Sequence, residues 1–302
     1  MIADHHASPA GAYRGARDKD NQMNQAACQA QTGGKLDIRT IDLDGRTLRV
    51  GIRRGSGGTP PLLLFNGIGA NLELVEPLIA ALGDVEVVIF DIPGVGGSPT
   101  PVMPYRFSNL SLLADNLLTH LGYAGQVDVL GVSWGGALAQ EFAHLYPQRC
   151  RRLILAATSP GVIMVPARPS VLARMIGPRR YTDPAYLEKI GGDLYGGAYR
   201  HDIELLREHS RHIEPPRGRG YVYQLLAAWG WSSLPWLGGL RQPTLVMHGN
   251  DDPIVPLANA KILAARIRQA RLHVIDDGHL FLVSRAADVA PVIRGFLRQD
   301  QH

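Results

Sequence analysis

Apolar and polar residues alternate with a period of two over residues 36–43 and again over 47–53, on either side of Asp44-Gly45. Such alternation half-buries a strand, and an Asp-Gly pair accepts the positive φ of a tight turn, so the spacing predicts a β-hairpin. Beyond it the pattern changes. Residues 61–65, 85–90, 126–132, 152–157, 243–248 and 272–275 are short runs rich in Val, Ile and Leu, as expected of buried strands. Between them, residues 72–82, 110–121, 258–267 and 287–297 place apolar side chains at helical spacing, and so do Ala137, Leu138, Phe142 and Leu145. Regular strand–helix–strand alternation predicts βαβ units and an α/β fold built on a mostly parallel sheet.

The rhythm breaks between residues 159 and 240, where short helical pieces are interrupted by Pro, Gly, Arg and aromatic residues and no strand stands out. An insertion after one strand and before the last two predicts a helical cap over the carboxyl edge of the sheet. The expected division is therefore core over 35–158, cap over 159–240 and core again over 241–299. Residues 1–34 are polar, rich in Gln, Asn, Ala and Gly, and without a sustained period, which predicts a disordered tail. Met23 is an alternative start within it, and His5-His6 read as a solvated pair.

Composition narrows the functional classes. A chain of 302 residues with 45% hydrophobic and 19% charged residues can bury a full globular core. The formal net charge of +4 is mild, and basic residues cluster only at Arg151-Arg152 and Arg179-Arg180, which argues against nucleic-acid binding. Cys28 and Cys150 make no disulfide framework and suit a reducing compartment. Asp4, His5, His6, Arg14, Arg17 and Asp18 interrupt any signal-peptide core, and no uncharged run is long enough to span a bilayer. A soluble intracellular protein is expected.

The candidate chemistry sits where the strand ending at Val132 meets the helix that follows. Gly131-Val132-Ser133-Trp134-Gly135 is a G-x-S-x-G pattern in the strand–turn–helix context that makes a nucleophile elbow. Serine needs a base to take its proton and an acid to hold that base, and on such a sheet they follow in the order Ser, acid, His. The acid is expected in the loop 249–256, as Asp252 in preference to Asp251. The base is expected after the last strand as His279, with Gly278 giving the backbone freedom to aim its ring. His120, His144, His248 and His273 read as structural or surface residues. Two backbone N–H groups must meet the oxyanion, and those of Trp134 and Ile68 are expected to do so. Asp91 is expected to tie down the Pro-Gly-rich loop after its strand. Trp229, Trp231 and Trp236, with Tyr221 and Tyr223, are either cap core or an apolar substrate-binding face. No metal or organic cofactor is called for.

With these residues assembled, the chain resembles the α/β-hydrolase superfamily and, more narrowly, the intracellular depolymerases of medium-chain-length polyhydroxyalkanoates. The likeness covers about residues 35–298 and rests on residues 65–75, 90–98, 131–140, Pro178-Arg179-Arg180-Tyr181 and 275–283. The polar tail departs from the family pattern. The resemblance implies an α/β-hydrolase fold with a helical cap and a Ser133, Asp252, His279 triad. It also implies a polyester substrate held in cytoplasmic granules and cleaved to 3-hydroxy fatty acids or oligomers. Serine at position 133 excludes the aspartate chemistry of haloalkane dehalogenases and epoxide hydrolases and the cysteine chemistry of a polymer synthase. The remaining alternatives are another cap-bearing serine hydrolase, acting on soluble esters or carbon–carbon bonds, and a non-catalytic granule-binding protein.

Overall fold

A computed structural model describes residues 36–56, 59–215 and 218–299. The tail expected at 1–34, with His5, His6, Met23 and Cys28, lies outside the described residues. The hairpin forms as the alternation predicts. Strands β1 (Asp37–Leu43) and β2 (Arg46–Arg53) pair antiparallel around Asp44 and Gly45, both at positive φ, and Asp42 Oδ1 accepts from Gly45 N at 2.9 Å. The apolar runs become β3 (Leu62–Phe65), β4 (Val87–Phe90), β5 (Val127–Val132), β6 (Cys150–Ala156), β7 (Thr244–Gly249) and β8 (Ala270–Ile275). They form one eight-stranded sheet in the order β1-β2-β4-β3-β5-β6-β7-β8. Every pairing from β4 to β8 is parallel, and only the hairpin edge, including β2 against β4, is antiparallel. Strands β3 to β5 and β7 are buried along their whole length, which is why they lack polar alternation.

Helices cover both faces. The predicted helix over 72–82 divides into a 3₁₀ turn at Leu72–Val75 and α1 (Glu76–Ala81), because Pro77 carries no N–H and is accommodated in a first turn. Helix α2 (Phe107–His120) starts earlier than its apolar pattern suggests, where Asn109 Oδ1 accepts from Arg106 N at 2.9 Å. It packs with α3 (Trp134–Leu145) over one face, around Phe65, Phe107, Phe142 and Leu138. Helix α1 and the final helix bury Leu78, Ile79, Val289 and Phe296 against the other face.

Between β6 and β7 run α4 (Pro169–Ile176), α5 (Arg179–Thr182), α6 (Pro184–Tyr195), α7 (Ile203–Arg211) and α8 (Gly220–Ala228). Asp183 caps α6 by accepting from Tyr186 N at 3.0 Å, and Asp202 caps α7 by accepting from Leu205 N at 2.9 Å. These helices bury a core of their own around Leu187, Leu194, Tyr195 and Leu206, which also takes in Ile254 and Val255 from the loop after β7. After β7 come α9 (Leu257–Arg266), then a short α10 (Phe281–Ser284) and α11 (Ala286–Leu297).

Candidate active site

Ser133 stands between β5 and α3 with φ 53° and ψ −116°, a conformation that costs a non-glycine residue roughly 1–3 kcal/mol. Neighbouring groups hold it there. Ser133 N donates to Ala156 O at 2.8 Å, and its carbonyl accepts from Gly136 N at 2.9 Å and Thr158 Oγ1 at 2.7 Å. A Cβ on Gly131 would lie 2.3 Å from Gly135 O, and one on Gly135 would lie 2.3 Å from Phe65 O in β3. The elbow therefore needs glycine at both places for room, against its own turn and against the neighbouring strand.

The loops after β7 and β8 bring an acid and a base together. Asp252 Oδ2 accepts from His279 Nδ1 at 2.7 Å, with both residues buried. Asp252 Oδ1 accepts from Ile254 N and Val255 N at 2.9 Å each, so the same carboxylate shapes its loop and holds the imidazole. Asp251 turns outward, where its carboxylate meets Gly197 N at 2.8 Å and Arg200 Nε at 2.6 Å. His279 N donates to Tyr195 O at 2.7 Å. Gly278 serves differently from the expectation. Its φ lies outside the left-handed region, and a Cβ there would fall 2.1 Å from Tyr195 O, so it supplies room for the α6 terminus rather than backbone freedom.

His248 contributes more than its strand position suggests. It is fully buried, its Nε2 donates to Val255 O at 2.7 Å, and the same nitrogen lies 3.4 Å from Asp252 Oδ2. Burial pushes its pKa down, which keeps the ring neutral beside the carboxylate. Asp252 is thus flanked by two imidazoles.

The loop after β3 lies against the serine: a Cβ on Gly67 would sit 3.8 Å from Ser133 Cβ. Its N–H groups are mostly engaged. Gly67 N donates to Asn66 Oδ1 at 2.9 Å, Gly69 N to Gln224 Oε1 at 2.7 Å and Ala70 N to Gly67 O at 3.2 Å. Among the described residues, the N–H groups of Ile68 and Trp134 have no acceptor in the protein. Two free donors beside Ser133 suit a developing oxyanion. Asp91 stays out of this chemistry. Its buried carboxylate accepts from Leu72 N and Gly97 N, each at 2.8 Å, and from Arg49 Nη1 at 3.0 Å, which ties the loop as expected.

Ser133, His279 and Ile68 share a cavity of about 70 Å³. Among the described residues no cluster of His, Cys, Asp or Glu is disposed to hold a metal ion. A family model for the alpha/beta hydrolase fold matches residues 60–286. The chain belongs to the alpha/beta hydrolase family. It is 53% identical over 265 residues to a poly(3-hydroxyalkanoate) depolymerase of Ectopseudomonas oleovorans, covering 87% of this chain and 93% of that protein. It is 28% identical to a 3-oxoadipate enol-lactonase 2 of Acinetobacter baylyi, over 75% of this chain and 84% of the relative. Among solved structures, an enol-lactonase from Burkholderia xenovorans superposes with a TM-score of 0.74 at 24% identity, covering 86% of this chain and all (100%) of that one. That likeness is one of fold.

The tryptophans do not enter the cavity of this alpha/beta hydrolase. Trp231 packs on Phe107 and donates from Nε1 to Glu141 Oε2 at 2.9 Å, and Trp236 stacks on the His144 ring at 4.2 Å. Both therefore lie along α2 and α3, because the chain runs there on its way back to β7. Trp229 is 73% exposed. The aromatic wall of the cavity is Tyr181 and Tyr195 instead. Tyr181 lies in the Pro178-Arg179-Arg180-Tyr181 stretch, and Tyr195 directly precedes Gly196-Gly197, so sequence signals for both were present.

His209 forms the wall between this cavity and an adjoining cleft of about 470 Å³ lined by Glu73, Glu76, Glu208 and His212. Burial, and secondarily the charge of His212, holds its pKa down at about 4. The unfolded chain therefore binds the proton first. Stability should fall as pH drops from about 6.5 to about 4 and level off below, by about 3 kcal/mol at most from this group. Denaturant unfolding at pH 7 and pH 4.5 checks this: His209→Phe should reduce the pH difference by about 2 kcal/mol.

Proposed function

We propose that this alpha/beta hydrolase cleaves the ester bonds of poly(3-hydroxyalkanoate), releasing 3-hydroxy fatty acids or oligomers through an acyl-enzyme on Ser133. The observation that carries the chemistry is the 2.7 Å His279 Nδ1–Asp252 Oδ2 pair opening onto the same cavity as a strained, elbow-mounted serine. The substrate class rests on 53% identity across 93% of a poly(3-hydroxyalkanoate) depolymerase.

His279 takes the Ser133 proton as Oγ attacks an ester carbonyl, and Asp252 holds the imidazole tautomer and stabilises its charge. The Ile68 and Trp134 N–H groups receive the oxyanion. The hydroxyl end of the next polymer unit leaves with the proton from imidazolium. Water, deprotonated by His279, then attacks the acyl-enzyme and frees the acid.

The helices over residues 159–240 act as a cap on a core formed by 35–158 and 241–299. A cavity of about 70 Å³ is well below the roughly 300 Å³ at which ligand pockets begin, so the cap helices shift to admit an acyl unit. Association with a polyester granule is supported by α8, which exposes Val222, Leu225 and Leu226 at helical spacing, with Trp229 exposed directly after its end. Such a contiguous apolar face suits an apolar surface. Trp229 belongs to that face. No helix among the described residues is long and apolar enough to cross a membrane.

Purified protein incubated with amorphous medium-chain polyhydroxyalkanoate granules should release 3-hydroxy acids, quantified after derivatisation. Turnover of a soluble p-nitrophenyl ester without any release from granules would retain the serine hydrolase and sink the polymer assignment.

A further inference from the structure

The cap side chains reach the oxyanion loop at one peptide unit. Ile68 C=O and Gly69 N–H are the two polar ends of a single planar amide, and each is bonded to a different cap helix. Tyr181 Oη, on α5, donates to Ile68 O, and Gln224 Oε1, on α8, accepts from Gly69 N at 2.7 Å. The direction of the tyrosine proton follows from its other partner. Arg180 Nη2 donates to Tyr181 Oη at 3.0 Å, so the hydroxyl accepts from arginine and gives its own hydrogen to Ile68 O. Arg180 itself is buried against the Tyr181 and Tyr221 rings and donates to Met175 O at 3.1 Å, which fixes this arrangement within the cap.

Gln224 also touches the second donor residue. Its backbone carbonyl accepts from Trp134 Nε1 at 2.8 Å, so one fully buried cap residue bonds to the residues on both sides of the oxyanion position. Gly69 makes the approach possible: it has φ +70°, and a Cβ there would lie 2.7 Å from Tyr181 Cε2. The Ile68 N–H belongs to the preceding peptide, whose carbonyl is held by Ala70 N within the loop. With the 67–68 peptide held from within the loop and the 68–69 peptide held from outside, rotation about Ile68 is restrained on both sides, and with it the direction of this N–H.

We propose that Tyr181 and Gln224 are positioning residues which complete the oxyanion hole only while the cap is seated. When the cap lifts to admit substrate, it withdraws both partners of the 68–69 peptide and the Trp134 clamp together. Reseating restores them, which couples closure over the bound acyl unit to transition-state stabilisation and leaves the open enzyme a poor catalyst. This inference rests on the serine hydrolase reading above.

The test uses a small soluble p-nitrophenyl ester, an alkylboronic acid that forms a tetrahedral adduct on serine, and the variants Tyr181→Phe and Gln224→Met. Each should lower kcat about tenfold, below the hundred- to thousandfold lost with a whole oxyanion donor, while KM stays within about twofold. The boronate inhibition constant should weaken by the same factor as kcat. The double variant should lose less than the product of the two, because both bonds hold one peptide. Unchanged kcat and boronate affinity in both single variants would overturn the proposal, and so would losses confined to KM. Retained activity in Ser133→Ala would instead sink the underlying serine hydrolase reading.

Discussion

Ser133→Ala should lower ester turnover by about 10⁶-fold and abolish labelling by an active-site-directed fluorophosphonate. The size of the effect follows from the proposed role of Ser133 as nucleophile. Without Oγ there is no acyl-enzyme, and the residual rate comes from oxyanion stabilisation and substrate binding alone. The loss should be purely chemical. The Ser133 backbone bonds to Ala156 O, Gly136 N and Thr158 Oγ1 involve no side-chain atom of the serine, and alanine meets the same positive φ. The melting temperature should therefore stay within a few degrees of the parent. A variant that keeps more than about one-hundredth of the parent kcat would require a different nucleophile.

Asp252→Asn should reduce kcat about 10⁴-fold with the fold intact. The reason lies in how the two carboxylate oxygens are used. Oδ1 accepts from Ile254 N and Val255 N, which an asparagine carbonyl can do equally well. That orientation turns the amide NH2 toward His279 Nδ1, where the carboxylate oxygen had accepted. Two donors cannot face each other, so the imidazole moves its hydrogen to Nε2 and loses the lone pair that takes the Ser133 proton. The Nε2–H of His248, 3.4 Å from Asp252 Oδ2, is committed to Val255 O, so that nitrogen offers the amide no compensating acceptor. Asp251→Asn is the control. Its carboxylate serves Gly197 N and Arg200, so kcat should change less than about threefold. Equal losses in the two variants, measured on the same soluble ester, would place the acid elsewhere.

Local patterning made most of the frame legible. The alternation over 36–53 with Asp44-Gly45 set the hairpin, and the unbroken apolar runs marked strands covered on both faces. The elbow could be read because steric demand is local: the turn at Ser133 tolerates only hydrogen at Gly131 and Gly135, and the motif records that demand within five residues. The acid and base loops were legible for a related reason. Ligand-binding loops on a parallel sheet leave the carboxyl ends of strands, so finding β7 and β8 nearly located the hydrogen-bonded pair Asp252 and His279.

What required the tertiary structure were the contacts between residues distant in sequence. The sequence favours Asp252 over Asp251 as the acid, but what Asp251 does instead is set by the path of α6 and the Gly196-Gly197 turn, which bring its carboxylate to Gly197 N and Arg200. The tryptophans were as apolar as any substrate wall, yet the return of the chain along α2 and α3 carried Trp231 and Trp236 away from the cavity. Tyr181 and Gln224 meet the loop after β3 across 113 and 155 residues of sequence. Period, turn chemistry and steric minima act over a few residues and so leave a trace in the chain. Which cap side chain finds which loop amide depends on how two separately formed layers dock, and no short stretch of sequence encodes that.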